Sequence, residues 1–170
     1  SKNLSGIMHA IINKHKSKVL HNILAKINIY VYLCSKNISY MEKNLLIELL
    51  ETGEKVSLYS PRFEGEEYTE FEKFLLTYKD QYAQDVQILI RRIDIIKENG
   101  AEDRFFRYEG SKRDRVMALP SHLDTSNLRL YCLNINHKIL ILGNGGIKQT
   151  QTYQEDVNLH RAVRNLQKID

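Results

Sequence analysis

The 170-residue chain has no tryptophan, 2 prolines, 2 cysteines and 8 glycines. So few Gly and Pro exclude collagen-like and Pro/Gly-rich low-complexity classes. Two cysteines, Cys34 and Cys132, are far apart and belong to no CxxC or Cys/His ligand cluster. A disulfide framework and a structural zinc site are therefore not expected. Each reads as a small buried thiol in a reducing, cytoplasmic setting. No apolar run reaches the roughly 18–20 residues that a membrane span requires. GxGxxG, Walker, HExxH and nucleophile-elbow patterns are all missing, so no motif calls for a nucleotide, a metal or any other cofactor.

What is present is 42% hydrophobic and 27% charged, enough to build one core without staples. The net charge of +4 permits a polyanionic partner without demanding one. That charge falls into three blocks. Residues 1–40 carry six lysines and no acidic side chain, residues 41–103 carry 8 basic and 15 acidic, and residues 104–170 carry 11 basic and 6 acidic.

The first block reads as a basic N-terminal extension, with the working domain at 41–170. Met41-Glu42-Lys43 would serve as an ordinary start of a globular chain, which makes upstream sequence read in frame one reading of residues 1–40. A basic amphipathic helix with Ile11, His15, Val19 and Ile23 on one face is another, suited to a membrane surface or nucleic acid. A secretory signal fits poorly, because Asn28 interrupts the apolar stretch and no A-x-A site follows.

Glu42 to Leu50 reads as a short amphipathic helix capped by Gly53. Lys55 to Ser60 alternates as a strand does and is expected to end at Pro61. Glu66–Lys79 and Asp85–Asn99 both show helical spacing and meet near Asp80-Gln81, a helical hairpin with an acidic outer face. Strands are expected at Arg104–Tyr108, Arg115–Leu119, Leu128–Ile135 and Lys138–Leu142, with Asn136-His137 as a tight turn and Gly143 to Gly146 as a flexible one. Glu155–Lys168 reads as a closing helix. This order predicts an α+β fold, with helices on one face of a small twisted antiparallel sheet.

Arg104, Arg107, Lys112, Arg113 and Arg115 fall within twelve residues, Arg129 follows on the next strand, and Lys148 comes after the last. By charge alone such a run is better explained by a solvated surface. His137 and His160 read as surface residues, since no ligand spacing joins them.

The stretch from Arg104 onward carries a more specific pattern. An arginine strand (Arg104 to Tyr108) is followed by a strand reading R-x-Y (Arg129-Leu130-Tyr131) and an apolar strand (Ile139 to Leu142). Then comes a G-x-K-x-T-x-x-Y segment from Gly146 to Tyr153, and a helix carrying Ala162. In these features residues 55–168 resemble the RelE/HigB toxins of the RelE/ParE superfamily. The resemblance implies a RelE-like fold, with an N-terminal helical hairpin and a C-terminal helix. It also implies a type II toxin–antitoxin toxin that cuts mRNA on the ribosome without metal and so inhibits translation. The partners implied are ribosome, mRNA and a small, adjacently encoded antitoxin with a helix-turn-helix. Cleavage of this kind needs cations to stabilise the phosphorane and groups to move protons. By the resemblance Arg129 is the transition-state clamp and Lys148 the cation after the last strand. Tyr153 is the C-terminal aromatic, which stacks on a base, helps move a proton or packs the last helix. Arg104, Arg107, Lys112, Arg113 and Arg115 would hold the RNA backbone. Where many relatives carry paired lysines, Lys148 is followed by Gln149. The superfamily also contains ParE-like gyrase inhibitors, and the same fold could serve as a non-catalytic RNA- or protein-binding module.

Overall fold

The computed structural model describes residues 44–108, 115–121, 127–150 and 152–170. The expectations for residues 1–40 lie outside them, as do Lys112, Arg113 and His122. Among the described residues the fold is α+β, a six-stranded sheet with three helices.

The chain opens with a β-hairpin, β1 (Leu45–Thr52) against β2 (Ser57–Phe63). This replaces the short helix expected at Glu42–Leu50. Leu45, Leu46, Ile47, Leu49 and Leu50 supply apolar side chains at every spacing, so the run is compatible with either period. Pairing decides it: Ile47 lies opposite Pro61 and Glu48 opposite Ser60, and Arg62 Nε donates to Glu48 Oε1 at 2.6 Å. Gly53 turns the hairpin rather than capping a helix, its N–H donating to the Val56 carbonyl. Pro61 lies inside β2 and does not end it. On its other side β2 pairs with β6 only from Ser57 to Tyr59, so the missing proline N–H falls beyond that ladder.

The helical hairpin forms as the periodicity predicts. Helix α1 (Glu70–Tyr78) starts at a capping box, with the Thr69 side chain accepting from Glu72 N–H and the Glu72 carboxylate accepting from Thr69 N–H. It buries Phe71, Phe74 and Leu75. Helix α2 (Ala83–Asn99) buries Val86, Leu89, Ile90, Ile93 and Ile96. Gly100, at φ +117°, ends it in a backbone region that a β-carbon disfavours. The hairpin follows β1 and β2, so it is not the N-terminal element of the described chain.

The rest of the sheet comes from β3 (Arg107–Tyr108), β4 (Val116–Pro120), β5 (Leu128–Asn136) and β6 (Ile139–Ile147), before helix α3 (Val157–Gln167) closes the chain. The strand order is β1-β2-β6-β5-β4-β3. All pairs are antiparallel except β2–β6, which is parallel. Arg104 does not belong to a strand, because residues Asp103–Phe105 form a 3-10 turn. The β5–β6 turn falls one residue later than expected, at His137-Lys138, with Asn136 Oδ1 accepting from Lys138 N–H. Gly143 to Gly146 is no turn but the middle of β6. There the missing side chains admit α3: a β-carbon on Gly143 would press on Leu166, and one on Gly146 on Leu159. Every residue of β4, next to the edge strand β3, is buried. No helix among the described residues is long and apolar enough to cross a membrane.

Candidate functional site

Residues directly opposite one another in a ladder share a face of the sheet, and so do residues two apart in one strand. Arg107 pairs with Ala118, and Ala118 with Tyr131. One row further along, Pro120 pairs with Arg129, and Arg129 with Gly146. Arg107, Arg129 and Tyr131 therefore stand on one face, with Arg107 and Tyr131 about 10 Å apart at their α-carbons. Lys148, two residues beyond Gly146, continues the same side, and its N–H donates to the Asn127 carbonyl at 3.2 Å. It is the face that α3 covers further along, since Gly146 meets Leu159.

The segment before α3 closes one side of this cluster. Tyr153 begins a 3-10 turn (Tyr153–Glu155), and its ring packs edge-on to Tyr131 at 6.3 Å and tilted against His160 at 6.2 Å. Asp156 caps α3, one carboxylate oxygen accepting from Asn158 N–H at 2.8 Å and Leu159 N–H at 3.0 Å.

The electrostatics bear out the proximity. Burial lowers the pKa of Arg129, and the charge of Arg107 lowers it further, while Tyr131 opposes both. Burial also lowers the pKa of Lys148, aided by Arg129 and Arg107, with Glu155 acting the other way. A fourth cation joins them. Arg92 of α2 donates to the Pro120 carbonyl at 3.1 Å, and its pKa is lowered by burial and by Arg107. Like charges brought together in a partly desolvated place repel one another, and a phosphate placed among them would relieve that repulsion.

Tyr131 forms the floor. It is fully buried, and burial pushes its phenol up to about 12 against the opposing pull of Arg129. Its hydroxyl has no hydrogen-bond partner among the described residues. Removing a buried hydroxyl that makes no bond costs nothing in lost bonding. Tyr131→Phe is accordingly expected to raise stability by about 1 kcal/mol in denaturant melts. The wild type should lose stability above pH 10 faster than the variant does. The folded phenol keeps its proton until about pH 12, whereas the unfolded one releases it near the ordinary tyrosine value of 10.0.

Of the other arginines singled out by sequence, Arg104 is exposed, paired with Glu102 at 2.9 Å and stacked on the Phe105 ring at 5.1 Å. Arg115 lies beside Val116, at the end of β4 away from Pro120, about 16 Å along the strand. There it is tied to Asp170 at 2.6 Å and to the Ile135 carbonyl. Neither joins the cluster. Arg92 and Glu155 carry no sequence signal of their own, and only folding brings them near Lys148, Arg107 and Arg129. Among the described residues no group of three or more His, Cys, Asp or Glu side chains is placed to hold a metal ion.

Comparison with protein-family models, curated proteins and solved structures finds no match for the chain.

Proposed function

We propose that the chain is a type II toxin of the RelE/HigB kind, a metal-independent endoribonuclease that cuts mRNA on the ribosome and so stops translation. In this reading it acts in the cytoplasm and is held inactive by a small, adjacently encoded antitoxin. The observation that carries the reading is the convergence of Arg107, Arg129 and Lys148 on one sheet face. The order strand, helical hairpin, antiparallel strands, closing helix also favours a RelE-like fold, with β1 added in front.

Strand-internal attack by a ribose 2′-OH builds charge on the non-bridging oxygens of the neighbouring phosphate. Arg129 presents a planar fork that suits those oxygens. Its rigid place on β5 means little rearrangement is needed as the charge grows. Arg107 and Lys148 add the second and third positive charges. Tyr153, at 7% exposure, acts as a wall that fixes the α3 segment against Tyr131.

The test is a purified ribosome programmed with mRNA, given the protein with and without its antitoxin. Cleavage is expected with the protein alone and is expected to vanish when the nucleotide at the cut carries no 2′-OH. Intact mRNA under both conditions would overturn the reading. Intact mRNA together with inhibited gyrase would move the protein to the ParE side of the superfamily.

A further inference from the structure

We infer that Glu155 is the general base of this site and Lys148 its general acid, a proton-moving pair at the mouth of the cluster. The inference rests on the ribonuclease reading above and assigns the groups that reading leaves open.

The geometry narrows the choice. Tyr153 is buried between Tyr131 and His160, so its phenol is poorly placed to reach a ribose. Tyr131 is buried completely, and its phenol stays protonated far above neutral pH. Asp156 spends a carboxylate oxygen on the first N–H groups of α3. Glu155 lies in the same turn as Tyr153, and the Tyr153–Tyr131 contact pins that turn to the face bearing Arg129. Glu155 is exposed. Its Oε1 accepts the Thr152 hydroxyl at 2.8 Å, which holds the carboxylate in place through one of its two oxygens. Its negative charge acts on Lys148. Lys148 in turn has its proton loosened by burial and by Arg129 and Arg107, which suits a donor.

The step balances without a further reactant. The 2′-O–H bond breaks and its proton passes to the Glu155 carboxylate as the 2′-oxygen bonds to phosphorus. The P–O5′ bond breaks and the departing 5′-oxygen takes a proton from the Lys148 ammonium. The products are a 2′,3′-cyclic phosphate and a 5′-hydroxyl. Glu155 then loses its proton, and Lys148 regains one, by exchange with solvent.

Single-turnover cleavage on programmed ribosomes tests this, with ordinary mRNA and with mRNA carrying sulfur in place of the 5′-bridging oxygen at the cut. A thiolate leaves without being protonated. On ordinary mRNA, Glu155→Gln and Lys148→Ala are each expected to be slower by about 100-fold. On the sulfur substrate Lys148→Ala should recover to within about tenfold of wild type, while Glu155→Gln stays slow and Glu155→Asp falls between. Glu155→Gln cutting ordinary mRNA as fast as wild type would overturn the pair, and so would its rescue by sulfur. A wild-type protein that cuts neither substrate would instead sink the ribonuclease reading itself.

Discussion

Arg129→Ala is expected to slow mRNA cleavage by about 1,000-fold, the upper end of what one preorganised charge-stabilising group contributes. Arg129→Lys should recover little of this, because a point charge does not reproduce a fork aimed at two oxygens. The arginine is committed to its place by two ladders, opposite Pro120 on one side and Gly146 on the other. It is also partly desolvated beside Arg107, so its field on a bound phosphate is weakly screened. Arg104→Ala and Arg115→Ala serve as contrasts. Both remove a positive charge from the same half of the chain, yet Arg104 is paired with Glu102 and Arg115 with Asp170. Their cleavage rates are expected to stay within about twofold of wild type, and Arg115→Ala to lower stability by no more than about 1 kcal/mol. Single-turnover rates and denaturant melts on the three variants check both statements. Equal losses for all three would mean that general positive charge, rather than the assembled cluster, governs the activity.

Gly145→Ala should cost about 3 kcal/mol of stability and disable the site as well. A β-carbon there would overlap the Arg129 carbonyl oxygen and press on the Leu130 α-carbon at 3.0 Å. Both are backbone atoms of the neighbouring strand, so no side-chain rotation relieves the clash. The β5–β6 ladder has an irregularity just beyond this point, between Leu130 and Cys132, and the close approach of the two backbones belongs to it. Gly146→Ala is the milder change. Its β-carbon would meet the ends of the Leu159 and Tyr78 side chains at 2.9 and 3.1 Å, which can yield, and about 1 kcal/mol is expected. Thermal melts of the two variants side by side give the comparison. A Gly145→Ala protein as stable as wild type would show that β5 and β6 are not so closely apposed beside Arg129.

The helical elements were the most legible part of the chain. Phe71, Phe74 and Leu75, then Val86, Leu89, Ile90, Ile93 and Ile96, repeat at a spacing that only a helix uses to bury one face. β5 was legible for the same reason at a period of two. The errors fall where local pattern is silent about partners. Nothing in Leu45-Leu46-Ile47-Glu48-Leu49-Leu50 distinguishes strand from helix until β2 lies beside it. Glycines 143, 145 and 146 read as a turn because the demand they meet, room for Leu166, for the β5 backbone and for Leu159, comes from elsewhere in the fold. At the site, Arg129 and Lys148 stand at motif positions in the sequence, and the register puts them on one side with Arg107. Arg92 joins from α2, fifteen or more residues away from any of them in the chain, so spacing could not reveal it. Glu155 lies two residues from Tyr153 in sequence, but the two separate in function only when one of them is seen to be buried.

The most direct test of the cationic face as an RNA-cleaving site is to map mRNA 5′ ends in cells within minutes of induction. Wild type would be compared with an Arg129→Ala/Lys148→Ala double variant expressed to the same level. New 5′ ends in register with codons are expected for the wild type and none for the double variant, with growth restored. Identical 5′ ends in the two strains, or growth arrest with mRNA left intact, would contradict the assignment of that face as the catalytic centre.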